Sequence, residues 1–208
     1  MRTLERCLVV AVATTLLAVP AVGRAQTPTA QLRKTNTDVE RLLKKKVPKG
    51  GAAEKKVKAD IKKLAAGLLA YDELSKESLK RHWGEMTAAQ RTEFVTVFQE
   101  LIERHYVKQV RTGVDYGISY KNEKVDGAAA DVKTVVRIQR KGRMADTVVD
   151  YKMLRRAGKW LVWDIMTDED PYSSLVMNYR SEFNKLWAKD GLEGVMKKIR
   201  KKAAEEAE

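Results

Sequence analysis

The order of residue patterns along this 208-residue chain predicts an α+β fold. Apolar residues recur at helical spacing up to about residue 109, four β-type segments with short connections follow, and helical spacing returns at Ser173. Helices, then a run of strands, then helices is typical of α+β proteins and differs from the strand–helix alternation of α/β proteins. We therefore expect an antiparallel, curved sheet of four or more strands wrapped by helices.

The first 25 residues have the pattern of a secretory signal peptide. Two arginines precede an apolar run over 7–22, and Gly23 and Ala25 are the small residues expected before a cleavage site. The apolar run is shorter than the about 20 residues that a membrane span needs, and Pro20 interrupts it. We expect cleavage after Ala25 and export; a retained anchor is the alternative.

The composition argues against metal and thiol chemistry. Cys7 is the only cysteine and lies in the predicted leader, so the exported chain would have no disulfide and no thiolate ligand. His82 and His105 fall in different helical segments without a cluster of further ligands. We therefore predict no metal site.

The chain is basic, with 41 Lys and Arg against 28 Asp and Glu and a net charge of +13. These residues are spread over predicted helix surfaces, and no aromatic-rich strand offers a platform for stacking bases, so we expect no nucleic acid partner. Local runs at 44–46 and 197–202 are interpreted as solvated helix faces. The alternative is attraction to an anionic membrane or an acidic partner.

The exported chain is expected to fold as one domain over residues 36–204. Residues 26–35 are polar and predicted to be flexible, and 205–208 form a tail. Helical spacing continues to Lys46, the sequence 47–51 breaks it with one proline and two glycines, and a second helix is predicted over roughly 52–66. A short helix is expected near 71–83. No oligomerisation pattern is present, so we expect a monomer.

A long helix is predicted from the capping box Thr87-Ala88-Ala89-Gln90 to about Gln109. Its apolar residues share one stripe, which contains Phe94, Val95, Phe98, Leu101, Ile102, His105 and Tyr106. Because His105 falls inside that stripe, we interpret it as a core or half-buried histidine. A role as a catalytic base is the alternative.

Four strands are predicted over 114–120, 132–140, 147–154 and 159–166. The turn signals between them are Asp126-Gly127, Lys141-Gly142 and Ala157-Gly158, which favours an antiparallel meander. The last strand, "KWLVWDIM", is apolar on both faces, so we expect it to be covered on both sides.

The last helix is expected to begin at Ser173 as N-cap, to break at Asp190-Gly191 and to resume to about Ala204. Arg180 falls at the border of its apolar face. One interpretation is a rim arginine whose stem covers apolar surface. The other places Arg180 at a cavity mouth, where it would meet a phosphate or an acidic partner.

Several motifs appear in an order that resembles the toluene-tolerance family of exported proteins. They lie in 71–110, in "KWLVWDI" (159–165) and in 174–199. The residues that carry the resemblance are Trp83, Gln90, Arg91 and Phe94, and then Asn178, Tyr179, Arg180 and Phe183. This family includes the periplasmic phospholipid-binding component of the Mla (maintenance of lipid asymmetry) pathway.

The resemblance implies a cone related to nuclear transport factors, with an apolar cavity for phospholipid acyl chains. It implies a periplasmic shuttle, with no enzymatic activity and no cofactor besides the lipid cargo. The implied partners are an outer-membrane lipoprotein complex and an inner-membrane ABC transporter with its lipid-binding subunit.

Apolar residues of the long helix, the sheet and the last helix are the candidates for the cavity lining, with filling of a plain core as the alternative. They are Phe94, Phe98, Ile102, Val136, Ile138, Val149, Tyr151, Met153, Ile165, Leu175, Val176 and Tyr179. Arg180 is the candidate for a headgroup or partner contact.

One segment departs from the family pattern. Members join the last strand to the next helix by a short segment ending Glu-Gly-Val-Ser, whereas 166–174 here reads "MTDEDPYSS", which is longer and acidic.

Two other functions stay open. One is an exported cone-fold enzyme that uses Asp150, Asp164 or His105, and the other is an adaptor with a closed core.

Overall fold

The computed structural model describes residues 26–205 except 111, 113–115, 141–142 and 169–172. The predicted leader, the Lys141-Gly142 turn and part of the acidic 166–174 segment therefore lie outside the described residues. Within the described ranges, none of the helices combines the length and hydropathy needed to cross a membrane.

The element order confirms the α+β prediction: helices, a four-stranded sheet, then a long broken helix. The elements are α1 Pro28–Leu43, α2 Ala52–Ala66, α3 Tyr71–Leu79, a 3₁₀ turn Lys80–Glu85, α4 Ala88–Gln109, β1 Tyr116–Asp126, β2 Ala129–Arg140, β3 Arg143–Arg156, β4 Lys159–Thr167 and α5 Leu175–Glu205.

Helix α1 begins earlier than the sequence pattern indicated. Thr27 caps it by accepting the N–H of Ala30, and Pro28 occupies the first turn, where its missing N–H has no cost. Leu32, in the next turn, is fully buried. Residues 28–35, expected to be flexible, are therefore helical, because a Thr-Pro start signal and one buried leucine outweigh a polar composition.

The sheet is an antiparallel meander in the order β1-β2-β3-β4, as predicted. In the β2–β3 pairing, Val132 lies opposite Tyr151 and Thr134 lies opposite Val149, and these residues are buried or half-buried. The intervening positions carry ion pairs between directly opposed residues, such as Lys152 to Asp131 at 2.9 Å. One face of the sheet is thus apolar and the other is charged.

The edge of β4 is covered by the segment that leads into α3. The Ala70 N–H donates to the Val162 carbonyl at 2.8 Å, and the Val162 N–H donates to Leu68 at 2.9 Å. A bulge leaves Trp163 without an opposed residue in β3. Trp163 packs on the helices while Val162 packs with the sheet, which accounts for the strand being apolar on both faces.

The buried apolar residues form two clusters. The helical cluster is built from α3, α4, α5 and Met86, and includes Phe94, Phe98, Ile102, Phe183, Val195 and Ile199. The sheet cluster is built around the apolar sheet face and contains Leu32, Leu68, Ala130, Val132, Met153, Trp160 and Val162. Leu69 packs against both.

Helix α5 is broken at Gly191, as expected from the sequence. Gly191 has φ 60° and ψ −155°, a conformation that residues with a Cβ rarely adopt. The second half of α5 then returns along the first, because Lys202 lies 2.7 Å from Glu182. The fold-back adds Val195 and Ile199 to the helical cluster.

Candidate functional site

A cleft of about 440 Å³ opens where the helical cluster meets the sheet cluster. Ile165 on its wall packs against the sheet cluster, and Leu175 and Tyr179 pack against the helical cluster. Its lining comes from the end of α4, the end of β4, both halves of α5 and Ser173, and consists of His105, Tyr106, Ile165, Thr167, Ser173, Leu175, Asn178, Tyr179, Glu182 and Lys202. The cleft therefore lies along the seam between the two clusters.

The cleft wall has an apolar and a polar part. Glu182 and Lys202 form an ion pair at 2.7 Å, which neutralises both charges. Desolvation of the phenol group, and then the negative charge of Asp164, raise the pKa of Tyr106 above its ordinary value, although 39% of the residue's surface is exposed. Tyr106 therefore lines the cleft as a neutral phenol.

Behind the apolar wall lies a group of aromatic rings. The Tyr179 ring meets Phe98 edge-on at 4.6 Å between centroids, and it stacks on Phe183 at 5.5 Å. Phe98 and Phe183 are at most 1% exposed. Tyr179 thus connects the cleft directly to the packed interior of the helical cluster.

His105 was expected to be a core or half-buried histidine, and this was wrong. The α4 stripe is buried through Ile102, but His105 and Tyr106 are exposed in the last turns of the helix and line the cleft. The apolar pattern continues past the point at which the neighbouring elements stop covering α4.

The structure places three of the twelve candidate lining residues on the cleft, namely Ile165, Leu175 and Tyr179. Most of the others pack in the two clusters or on the inner sheet face, and Val136 and Tyr151 are half-buried. The side chain of Ile138 lies outside the described residues. The buried ones are Phe94, Phe98, Ile102, Val149, Met153 and Val176.

Sequence reasoning missed the polar lining residues. Thr167, Ser173, Glu182 and Lys202 come from separate elements, and no single periodicity groups them. Asn178 belongs to the Asn178–Phe183 motif that carries the family resemblance, and that motif is the signal that could have identified it.

Arg180 contacts α3 and is not among the residues that line the cleft. Its Nε and Nη2 donate to the Glu77 carbonyl at 2.9 and 2.6 Å, and Nη2 lies 3.3 Å from the Glu77 carboxylate. Its Nη1 lies 3.3 Å from the Met177 sulfur. Arg180 therefore ties the last turn of α3 to α5.

Asp164 caps the start of α5. It accepts the Ser174 hydroxyl at 2.6 Å, the Val176 N–H at 3.1 Å and the N–H of Ile165 at 2.9 Å. Ser174 in turn accepts the N–H of Met177, so Ser174 is the N-cap and not Ser173. The Ser173 hydroxyl instead bonds the backbone of Thr167.

The other two candidate catalytic residues lie elsewhere. Asp150 is 3.7 Å from Lys133 in the row of ion pairs on the charged sheet face, and His105 lines the cleft. The carboxylate of Asp164 already accepts three hydrogen bonds, two of them from the start of α5, which gives it a structural role.

The motif residues before α4 have structural roles. The Arg91 Nε donates to the Trp83 carbonyl at 2.9 Å, and its guanidinium lies 5.5 Å from the centre of the Trp83 ring. Thr87 and Gln90 form the predicted capping box.

His82 stacks on Trp187, with 4.4 Å between the ring centroids, and its Nδ1 lies within hydrogen-bond distance of the Glu85 carboxylate. No group of three or more His, Cys, Asp or Glu within the described ranges could hold a metal ion.

Comparisons with known proteins agree with this architecture. The chain is similar to a phospholipid-binding protein from Ralstonia solanacearum, solved in complex with a phospholipid, with a TM-score of 0.67 and 19% identity over 88% of this chain and 99% of the other. At that identity the similarity shows the fold. No curated protein matches the chain. The family model for "MlaC protein" matches residues 33–201, and the chain therefore belongs to the MlaC family.

Proposed function

We propose that this protein binds a phospholipid by its acyl chains and carries it through the periplasm. The observation that carries the proposal is the cleft on the seam between the helical and sheet clusters, since apolar surface from both sides meets there. Membership in the MlaC family and a fold shared with a protein solved with a bound phospholipid support it.

The cleft volume limits what it holds as it stands. At about 30 Å³ per water-sized group, 440 Å³ accommodates about 15 methylene groups. That is roughly one acyl chain, whose complete burial would contribute about 12 kcal/mol before ordering costs at about 0.8 kcal/mol per CH₂. The gain in this open cleft is smaller, because much of its lining is polar. A second chain requires more space.

We infer that the additional space comes from separating the two clusters along their seam. Each cluster is packed within itself, and the contacts between them run through few residues, among them Leu69. Separation would expose Tyr151 and Val149 on the sheet side and Phe98 on the helical side. Those residues, buried or half-buried here, would then line the enlarged cavity together with Ile165, Leu175 and Tyr179.

Delivery is the second part of the proposal. The protein would exchange lipid with an outer-membrane lipoprotein complex and with an inner-membrane ABC transporter through its lipid-binding subunit. Affinity for two fully buried chains would approach the practical limit of about −18 to −21 kcal/mol, too tight for unaided release. A partner that opens the seam would lower that affinity and permit handover.

A binding function is favoured over catalysis. The family and the phospholipid-bound structural neighbour both point to binding, and Asp164 serves as a helix cap. The cleft, on which apolar residues of both clusters meet, favours binding over the closed-core adaptor.

The test is the lipid content of the exported protein, purified without detergent. Mass spectrometry of an organic extract should find about one phospholipid per chain. The protein, once delipidated, should regain it from phospholipid vesicles. A lipid-free protein that takes up no lipid from vesicles would contradict the proposal.

A further inference from the structure

Lysine residues are concentrated at the end of α1, the turn after it and α2. Residues 44–63, which we call the lysine elbow, contain nine lysines and two acidic residues, a net charge of +7 in a chain of net charge +13. More than half of the net positive charge therefore lies in twenty consecutive residues.

Neighbouring carboxylates neutralise only part of this charge. Four lysines have an acidic partner, in the pairs Lys44–Glu40, Lys56–Asp60, Lys58–Glu54 and Lys62–Glu103. The exposed lysines Lys45, Lys46, Lys55 and Lys63 form no ion pair within the described part of the chain. Their charge is available to a partner.

The lysine elbow is a folded surface. Val57 and Ile61 bury the inner face of α2, at 3% and 9% exposure. The chain turns between α1 and α2 at Gly50, where φ is +75°. The Gly50 N–H donates to the Glu54 carboxylate at 2.6 Å. The lysines are thus presented from a scaffold that is already ordered.

The composition of the elbow selects the kind of partner. All nine basic residues are lysines, and the segment contains no arginine and no aromatic residue. Protein interfaces are depleted in lysine and enriched in aromatic residues and arginine. Flexible lysine charges instead suit a diffuse anionic surface, such as lipid headgroups, where no fixed geometry is required.

We propose that the lysine elbow docks this protein electrostatically on anionic phospholipid membrane surfaces. This goes beyond the proposed lipid cargo and does not depend on it. Such docking is fast and reversible, which suits a protein that must arrive and leave repeatedly.

The elbow is separate from the cleft lining. None of its lysines is among the residues that line the cleft. Lys62 contacts α4 by pairing with Glu103 at 3.0 Å, and Lys62 is not among the residues to be replaced. Changes to the other lysines of the elbow should therefore leave the lipid content unchanged.

The test is flotation of the exported protein with phosphatidylcholine vesicles, with and without phosphatidylglycerol. Binding should require the anionic lipid and should disappear as salt rises from about 0.05 M to about 0.5 M, where the screening length becomes short. Glutamine replacement of Lys45, Lys46, Lys55 and Lys63 should reduce partitioning by up to about 600-fold, since each of the four lysines near an anionic surface contributes about fivefold.

A matched control removes the same charge elsewhere. Lys159, Lys185, Lys189 and Lys197 are also exposed and without an ion pair among the described residues, and their glutamine variant should lose much less binding. Equal losses would make net charge the cause and overturn the proposal. No binding of the unmodified protein to anionic vesicles at low salt would also overturn it and leave an acidic protein as the elbow's partner. Extracted lipid, measured in parallel, separates this result from the cargo test.

Discussion

Arg180 shows how a single charged residue fits into an apolar helix face. Its guanidinium donates two hydrogen bonds to one backbone carbonyl, that of Glu77. That carbonyl belongs to the last turn of α3, where helix carbonyls lack intrahelical partners. The chain leaves the helix at Lys80, three residues later, with φ 48°. The arginine thus satisfies a helix end that the chain turn leaves open.

Replacement of Arg180 by alanine should lower the free energy of unfolding by about 1–3 kcal/mol, the range for hydrogen bonds to charged groups. Lysine at this position should recover only part of the loss, because it lacks the planar fork. Urea denaturation measures both.

The control is Arg200→Ala, since Arg200 forms an exposed pair with Glu93, and exposed pairs contribute about 0–1 kcal/mol. If Arg180→Ala is as stable as the control but takes up less phospholipid from vesicles, the arginine serves a headgroup and the tether interpretation is wrong.

At the level of elements, the break in α5 determines the composition of the helical cluster. A continuous helix over Leu175–Glu205 would carry Val195 and Ile199 away from Phe183, whereas the turn at Gly191 returns them to it. The same fold-back brings Lys202 into the cleft beside Glu182. One glycine thus determines both the packing and part of the site.

Gly191→Ala should destabilise the protein by about 1–3 kcal/mol, because the cost arises from the backbone conformation. A Cβ at Gly191 would meet nothing within 4 Å, so sterics do not contribute. Gly84→Ala is the control, since Gly84 also has open space and has no positive φ. Thermal unfolding should separate the two; a stabilised Gly191→Ala protein would mean that the helix prefers to continue.

For the whole molecule, the seam between the two clusters explains how a packed protein would hold a large apolar ligand. The residues on each side are buried in separate cores, so an opening along the seam preserves the packing within each. A permanent cavity inside one common core would instead destabilise the lipid-free protein, because its empty volume would leave the surrounding side chains without packing partners.

Leu175→Trp should therefore reduce lipid uptake severalfold, because a larger ring at the cleft wall fills the entrance to the seam. Met177→Trp is the matched control, as Met177 lies on the same helix at 48% exposure. Fluorescent phospholipid transfer from vesicles measures both. Val149→Trp tests the sheet side and should also reduce uptake, while urea unfolding of the same variant measures the cost of overpacking there, about 1–3 kcal/mol. Equal uptake by the two α5 variants would remove the cleft from the binding route.

Local patterns determined much of this fold. The Thr87–Gln90 capping box placed the start of α4, alternation and glycine turns placed the strands of the meander, and Asp190-Gly191 placed the break in α5. These signals succeed because caps, turns and strand periodicity act over a few neighbouring residues. The start of α1 differs from the prediction because the cap at Thr27 and Pro28 in the first turn outweigh the polar composition of 26–35.

The tertiary structure alone decided the site. The cleft joins His105, Thr167, Asn178 and Lys202 from separate elements, and no spacing along the chain encodes that meeting. It likewise decided that Arg180 points to Glu77 and that Asp164 caps α5. A periodic pattern shows which face of an element is apolar, but where that face stops being covered depends on how the other elements pack against it.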